Sequence, residues 1–226
     1  MTIERRVGAA TVRFTGRAEG DLGHGGAFVT SVRDDVAARR RAVVDLPWTW
    51  LRQVHGDEVV RVDAPGAGAG ATADAAVTDQ RGAALAVLTA DCAPVVLASS
   101  SGAVGVVHAG WAGLLAGVVA AAVKELRALG AQDLEAVLGP CIHAECYEFG
   151  LDNLVDLTDR YGPSVAARTA AGELALDLPA AVKVALVEQG IADVDDVGVC
   201  TACSATEYYS WRARRETERQ ATVVWQ

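Results

Sequence analysis

Positive charge is scarce in this chain of 226 residues. It carries 20 Lys and Arg side chains against 29 Asp and Glu side chains, which gives a formal net charge of −9. A surface that binds nucleic acid needs clustered Lys and Arg to neutralise phosphates. The one cationic cluster, between Trp211 and Arg219, is local. The composition therefore predicts no nucleic-acid partner.

Long apolar runs are missing as well. A membrane-spanning helix needs about 20 consecutive apolar residues. The segment after His108 comes closest, but Lys124, Glu125 and Arg127 interrupt it. The first residues, MTIERRVGAATVRF, contain charges and no apolar region typical of a signal peptide. We therefore expect a cytoplasmic protein with no membrane contact.

Cysteine occurs in an odd number, five. In a mid-sized chain without a secretion signal, disulfides are disfavoured, and thiols serve in the core, in metal sites or in catalysis. A chain of 226 residues is long enough for a continuous core, and a hydrophobic fraction of 51% indicates a globular and not a disordered protein. We predict a single globular domain over residues 1–226.

Hydrophobic patterning predicts strands and helices that are mixed along the chain, which indicates an α/β or α+β class with a mixed sheet. A Gly-rich loop at 15–26 contains His24, which is more simply solvated than a ligand. The predicted helices cover residues 31–45, about 114–129, 151–161 and 179–190. The predicted strands cover residues 7–14, 48–63 (two strands with a turn at 55–56), 73–79, 84–88, 94–98, 102–107, 134–138, 194–200 and 221–225.

Residues 85–129 form the stretch around which the chain is organised. Cys92 and His108 lie where its apolar pattern breaks, and His55 lies in a turn upstream. Zinc in catalytic sites takes three protein ligands and keeps one position open. These three side chains can form such a site, with Asp91 as a hydrogen-bond acceptor for a ligand. The alternative is a buried core thiol and two structural histidines.

The remaining cysteines form two pairs, Cys141-x4-Cys146 and Cys200-x2-Cys203. One interpretation is an all-cysteine structural zinc site. The alternative is that they are small core residues. A thioredoxin-type redox pair at 200–203 is the weakest interpretation. Such a motif should open a helix after a strand, and Thr201, Ala202 and Ser204 give little support for a helix here.

Several motifs occur together from about residue 50 to the end of the chain. They are QVHG at 53–56, ADA at 73–75, LTADCAPVVL at 88–97, VHAGW at 107–111, GPCI at 139–142, CYEFG at 146–150 and the closing CT…YYSWR…ERQ. As a set they resemble the YfiH, or laccase-domain, family. Its members were once called polyphenol oxidases or multicopper oxidases, and they are now linked to purine nucleoside cleavage and, in some bacteria, to peptidoglycan precursor editing.

The resemblance implies an α-β-β-α sandwich with mixed sheets. It also implies a Zn2+ ion held by His55, Cys92 and His108, with Cu2+ as the alternative metal. The implied activity is phosphorolysis of adenosine, inosine and methylthioadenosine, together with deamination of adenosine. The expected partners are thus a small-molecule nucleoside and phosphate.

Three positions depart from the pattern of the family. Ala112 stands where the family usually has an arginine, His143 where it tends to have glycine, and Trp211-Arg212-Ala213 where it has YRR. If the arginine of the family binds phosphate or another anion, the alanine at position 112 removes that contact and changes the affinity for the anion. We therefore expect a substrate preference that differs from that of the family.

Phosphorolysis requires a cation that holds phosphate and a donor to the departing base. The candidate cations are Arg212 and Arg219, for which the alternative is a surface ion pair with Glu216 or Glu218. The candidate acids and bases are Asp74, Asp91 and Glu148.

Three other functions compete with a zinc nucleoside enzyme. A copper phenol oxidase is one, although multicopper oxidases need many histidines in H-x-H pairs, and this chain has four histidines and no such pair. A cysteine hydrolase or amidase that acts on a cell-wall precursor is the second, with Cys92 as nucleophile and His108 as base. A non-catalytic binding module is the third.

Overall fold

The computed structural model describes residues 2–23 and 34–226. Within these residues the α-helices are α1 (Asp34–Val43), α2 (Trp111–Ala116), α3 (Val118–Ala128), α4 (Leu151–Tyr161), α5 (Leu178–Val187) and α6 (Trp211–Arg214). The strands are β1 (Ile3–Val7), β2 (Ala10–Phe14), β3 (Trp48–Arg52), β4 (Val59–Arg61), β5 (Ala71–Thr72), β6 (Ala75–Thr78), β7 (Ala84–Thr89), β8 (Ala93–Ser99), β9 (Val104–Ala109), β10 (Leu134–Leu138), β11 (Ala166–Arg168), β12 (Leu174–Leu176), β13 (Val194–Asp196) and β14 (Gln220–Trp225).

Most of the described strands belong to two mixed sheets. The first has the order β1-β2-β14-β7-β3-β5, and the second has the order β13-β10-β8-β9-β6-β4. In the first, β7 and β3 are parallel while β14 and β7 are antiparallel. In the second, β6 and β4 are parallel while β8 and β9 are antiparallel. Strands β11 and β12 form a separate hairpin.

Alternation along β7 shows how the layers stack. Leu85 and Val87 belong to an apolar cluster shared with strands of the second sheet, so they point between the two sheets. Ala84, Ala86 and Leu88 point the other way, into a cluster on the outer face of the first sheet. Successive side chains of a strand point to opposite faces. Both faces of β7 are thus covered, which accounts for its continuous apolar sequence.

Helices cover the outer faces of both sheets. Val43 of α1 joins the outer cluster of the first sheet. On the second sheet, Leu97 of β8 shares a cluster with Leu114, Leu126 and Leu186 of the helices α2, α3 and α5. The layer order is therefore helix, sheet, sheet, helix. The prediction of an α-β-β-α sandwich with mixed sheets is confirmed.

Three of the predicted elements differ in the structure. The single strand predicted over 7–14 is wrong, because Gly8 adopts a positive φ of 52° and the chain reverses there between β1 and β2. The helix predicted from about 114 begins at Trp111 and breaks at Gly117, whose φ is 95°. The strand predicted over 194–200 ends at Asp196, and Cys200 forms only an isolated bridge with Cys141.

Some predictions fall outside the described residues. His24 is one of them, and the first three residues of the helix predicted over 31–45 are others. Within the described ranges, no helix combines the length and the apolar character that crossing a membrane requires.

Candidate metal centre

Strand pairing brings two of the predicted ligands to one edge of the second sheet. Strands β8 and β9 pair with Pro94 opposite His108, so Cys92, just before β8, lies beside the end of β9. Strand β6 pairs with the other side of β9, and the backbone N–H of His108 donates to the carbonyl of Asp74 at 2.7 Å. Asp74 is therefore a neighbour of this edge as well.

The turn between β3 and β4 contains the third predicted ligand, His55. The donor atoms of His55, Cys92 and His108 all lie within 4.8 Å of one another. Nε2 of His55 is 3.7 Å from Sγ of Cys92, and the two imidazole rings meet edge to face with centroids 4.8 Å apart. His108 is buried, Cys92 is half-buried and His55 is exposed. Two imidazoles and one thiol that converge in this way, open towards solvent at His55, fit a metal ion with three protein ligands.

One buried carboxylate, that of Asp74, organises this group. Its Oδ1 accepts hydrogen bonds from Nδ1 of His108 at 2.8 Å and from the backbone N–H of His55 at 2.9 Å. Its Oδ2 accepts from the backbone N–H groups of Val54 and Gly56 at 3.1 and 2.8 Å. The first bond places the proton of His108 on Nδ1, so that Nε2 is left for a metal. The others hold His55 at a φ of 59°, in the left-handed region that a residue with a side chain seldom adopts.

The same hydrogen bonds keep Asp74 ionised. Burial alone would raise the pKa of Asp74, but the hydrogen bonds from His108, Gly56 and Val54 and the charge of His108 lower it below its usual value. An acid–base role for Asp74 stays a prediction. A fully buried carboxylate that accepts four hydrogen bonds is better suited to positioning the ligands than to exchanging a proton.

Cys92 and His108 form a charge pair when no metal is bound. Burial alone would raise the pKa of Cys92, but the charge of His108 and the hydrogen bonds from both histidines lower it to about 6. Burial alone would lower the pKa of His108, but the Cys92 thiolate and the hydrogen bond to Asp74 raise it to about 9. The thiol is thus already in the form that binds metal. Metal binding must release the second proton of His108.

Gly110 has to lack a side chain for this centre to form. A Cβ atom at this position would lie 2.6 Å from Cδ2 of His55 and 3.2 Å from Sγ of Cys92. The backbone of Gly110 is extended, with a φ of −79°, so the requirement is one of space and not of conformation. The absence of a side chain at Gly110 of the HAGWAG turn therefore leaves room for His55 and Cys92.

The carboxylate that contacts the predicted ligands is that of Asp74, whereas the carboxylate of Asp91 faces other residues. The carboxylate of Asp91 accepts from the hydroxyl of Thr201 at 2.7 Å and from the backbone N–H of Arg212 at 2.6 Å. Its backbone carbonyl accepts from the N–H of Ile142 at 2.8 Å. Asp91, the residue before Cys92, is therefore bound to two C-terminal residues, Thr201 and Arg212.

The two predicted phosphate-binding arginines occupy different places. The guanidinium of Arg212 lies 4.7 Å above the ring of Tyr147 and donates to the carbonyl of Glu148. The guanidinium of Arg219 donates to the carbonyls of Glu216 and Glu218. Only Arg212 is thus tied to the Asp91 side of the centre by the contacts described. Their phosphate role stays a prediction, as does the effect of Ala112, which lies in the first turn of α2.

Sequence reasoning missed an aromatic wall beside the centre. Trp111 follows Gly110 and packs edge to face against Phe149 with ring centroids 5.7 Å apart. Phe149 packs in the same way against Tyr147 at 5.3 Å. Two of these three aromatic residues lie in the CYEFG motif, which is the sequence signal that could have indicated the wall. The three rings thus extend from Trp111 in α2 to Tyr147, over which the guanidinium of Arg212 lies.

Three of the other four cysteines contribute to a second group of donors. Within the described residues, Cys146, Cys200 and Cys203 converge with Glu145. Cys141 is not part of this group, although its backbone pairs with that of Cys200. The all-cysteine set of four is therefore wrong in one member, because the side chain of Cys141 is fully buried in the helical core cluster.

Comparison with known proteins finds one matching family and several named relatives. Residues 10–226 match the family described as multi-copper polyphenol oxidoreductase laccase. A purine nucleoside phosphorylase of Streptomyces coelicolor is 41% identical over 210 residues, which cover 91% of this chain and 86% of that protein.

Solved structures show the same fold. The hypothetical protein YfiH of Bacillus licheniformis superposes with a TM-score of 0.82 at 26% identity, over 95% of this chain and 92% of that one. The protein NMB0706 of Neisseria meningitidis gives a TM-score of 0.82 at 28% identity, over 99% of this chain and 98% of that one.

Proposed function

The chain belongs to the multi-copper polyphenol oxidoreductase laccase family, and from that premise we propose that it is a zinc-dependent purine nucleoside phosphorylase. The observation that carries the proposal is the convergence of His55, Cys92 and His108 around one point that is open to solvent. The activity is supported by the Streptomyces relative, which is named a purine nucleoside phosphorylase. The substrates proposed are adenosine, inosine and methylthioadenosine, with deamination of adenosine as a second activity.

Zinc is preferred over copper because of the donor set. Two imidazoles, one thiolate and an open position are typical of catalytic zinc. A copper electron-transfer site also uses two histidines and one cysteine, usually with a distant methionine ligand. The only methionine of this chain is its first residue. Zinc bound here would supply Lewis acidity towards an oxygen or nitrogen of the substrate.

The side chains of this protein divide the remaining work. Asp74 holds the ring of His108 and the backbone of His55, so it positions two ligands. Asp91 holds the backbone N–H of Arg212. We assign phosphate binding to Arg212, because a planar guanidinium presents several donors to phosphate oxygens.

Product analysis of two thiol variants tests the function. Zinc-loaded protein is incubated with adenosine, inosine or methylthioadenosine, with and without phosphate, and free base, ribose 1-phosphate and inosine are separated by chromatography. Release of base that depends on phosphate is expected for the wild type and for Cys141→Ala, whose thiol lies outside both donor groups. Cys92→Ala should lose it. A wild type without turnover, or Cys92→Ala with unchanged turnover, contradicts the proposal.

The low pKa of Cys92 favours a second candidate, a cysteine hydrolase that acts on an amide of a cell-wall precursor. A thiolate beside a histidine is the arrangement that activates a nucleophile. A zinc-bound thiolate is a poor nucleophile, so the two candidates respond to zinc in opposite directions. Amide hydrolysis that appears after zinc removal and disappears when zinc is restored identifies the hydrolase.

A further inference from the structure

Three thiols and one carboxylate converge outside the metal centre described above. The donor atoms of Glu145, Cys146, Cys200 and Cys203 all lie within 4.8 Å of one another. Sγ of Cys146 is 3.3 Å from Sγ of Cys203, which in turn is 3.6 Å from Oε1 of Glu145. The proposed phosphorylase chemistry uses none of these four side chains.

These distances suit a tetrahedral ion better than a disulfide. A zinc–sulfur bond is about 2.3 Å long, so two sulfur ligands on one zinc lie about 3.8 Å apart. A disulfide would draw two sulfur atoms to about 2.05 Å and would leave the third thiol and the carboxylate without a role. The spacing Cys200-x2-Cys203 also falls in the range found for structural zinc ligands.

Backbone hydrogen bonds bring the two segments together without the ion. The N–H of Thr201 donates to the carbonyl of Cys141 at 3.0 Å, and the N–H of Cys141 donates to the carbonyl of Val199 at 3.2 Å. The N–H of His143 donates to Sγ of Cys200 at 3.4 Å. The two segments that carry the donors are therefore held together by hydrogen bonds between residues that lie 57 or more positions apart in sequence.

We propose that Glu145, Cys146, Cys200 and Cys203 hold a structural zinc ion, distinct from the ion on His55, Cys92 and His108. Four protein ligands make the site closed, as structural zinc sites are. Cys200 is buried while Cys203 and Glu145 are exposed, so the ion enters from solvent.

The ion ties the segment around residues 143–146 to the turn at 200–203. That turn contains Thr201, whose hydroxyl donates to Asp91, the residue before Cys92. Asp91 in turn accepts from the backbone of Arg212. The structural zinc therefore restrains the position of Asp91, the residue before Cys92 of the catalytic centre.

Metal analysis of full-length variants tests the site. Protein exposed to excess Zn2+ and then desalted should hold two ions per chain in the wild type and in Cys141→Ala, the control that removes a thiol outside both groups. Cys146→Ser, Cys203→Ser and Cys92→Ala should each hold one ion. The double variant Cys92→Ala with Cys203→Ser should hold none.

Cobalt distinguishes this site from the first. In Cys92→Ala the first centre has lost its thiolate, so thiolate-to-cobalt charge-transfer absorption on adding Co2+ reports only the second group. We expect that absorption in Cys92→Ala and its loss when Cys203→Ser is added.

Three results overturn the proposal. The first is that the wild type binds only one zinc ion and that Cys92→Ala binds none. The second is that Cys92→Ala shows no thiolate-to-cobalt absorption. The third is that denatured protein, purified without reductant, contains a disulfide between Cys146 and Cys203. None of these readings depends on nucleoside turnover, so failure of the second site and failure of the proposed activity are separable.

Discussion

The carboxylate of Asp74 accepts a hydrogen bond from Nδ1 of His108 at 2.8 Å, and the same oxygen accepts from the backbone N–H of His55. One buried group thus orients the ring of one ligand and the backbone of another. Because the proton on Nδ1 of His108 faces Asp74, Nε2 is the ring nitrogen that would present a lone pair to a bound metal. We therefore expect a metal centre at this place to depend on Asp74 as well as on its three predicted ligands.

Replacement of Asp74 by Asn should weaken zinc binding without removing a ligand. The amide nitrogen of Asn cannot accept, so some of the N–H groups that now meet a carboxylate would lose their acceptor. Loss of a partner of this kind typically costs 10- to 100-fold in metal affinity, so a decrease of roughly that size is expected. Competition with a chelator of known affinity measures it. Asp79→Asn, at an exposed position, is the control. Equal affinities of Asp74→Asn and wild type would contradict the positioning role.

Gly110→Ala should abolish the metal centre by crowding it. The added Cβ would lie 2.6 Å from His55 and 3.2 Å from Cys92, so at least one ligand must move. Gly150→Ala is the matched control, because Gly150 has an extended backbone and no atom within 4 Å of the added Cβ. Zinc content and thermal unfolding are measured together. A folded Gly110→Ala protein with undiminished affinity for zinc at the first centre would disprove the steric argument.

Replacement of Arg212 and replacement of Arg219 should have different effects on the affinity for phosphate. Arg212 lies on the Asp91 side of the centre, whereas the guanidinium of Arg219 binds the carbonyls of Glu216 and Glu218. A hydrogen bond to a charged group contributes about 1.5–3 kcal/mol, so Arg212→Ala should raise KM for phosphate roughly 10- to 100-fold. Arg219→Ala should change it little. The opposite order would transfer the phosphate role to Arg219.

Metal removal should make Cys92 reactive at unusually low pH. In zinc-free protein its pKa is about 6, because the effect of burial is outweighed by the charge of His108 and the hydrogen bonds from both histidines taken together. Only the thiolate is alkylated, so the rate of iodoacetamide labelling should be near its plateau at neutral pH and fall as the pH drops through about 6.

Peptide mass spectrometry resolves Cys92 from the other thiols in this experiment. Buried Cys141, whose pKa is raised by burial, is the internal control and should stay unlabelled. His108→Ala should move the midpoint for Cys92 upwards, since it removes the largest charge that lowers the pKa. Restored zinc should slow labelling. A midpoint near the ordinary thiol value of about 8.5 in zinc-free wild type would show that the charge pair does not form.

Asp91 and Thr201 should be energetically coupled. Their hydrogen bond of 2.7 Å is buried and joins segments 110 residues apart in sequence. In a double-mutant cycle with Asp91→Asn and Thr201→Val, the free energies of unfolding should deviate from additivity by about 0.5–3 kcal/mol. The same cycle with exposed Thr217→Val in place of Thr201→Val should be additive. Additivity in both cycles would show that the contact contributes no stability.

The local elements were largely accessible from the sequence. Strand β10 and helix α4 have the predicted bounds, because apolar period and Gly boundaries are properties of neighbouring residues. The break at Gly117 was missed, since the apolar stripe continues across it while only the backbone turns. The three proposed ligands were found partly from pattern breaks and mainly from the family resemblance, because their separation in sequence carries little information about their separation in space.

The sequence by itself determined which segments are buried, which class of fold they build and which side chains offer soft donors. Only the tertiary structure decided that Asp74 accepts hydrogen bonds from the proposed ligands, while Asp91 accepts hydrogen bonds from Thr201 and Arg212. It also decided that Glu145 joins three cysteines and that Cys141 does not. Periodicity is a local property, whereas the pairing of β6 with β9 and the meeting of residues 145–146 with 200–203 join positions far apart in sequence, and such contacts exist only once the sheets and loops have packed.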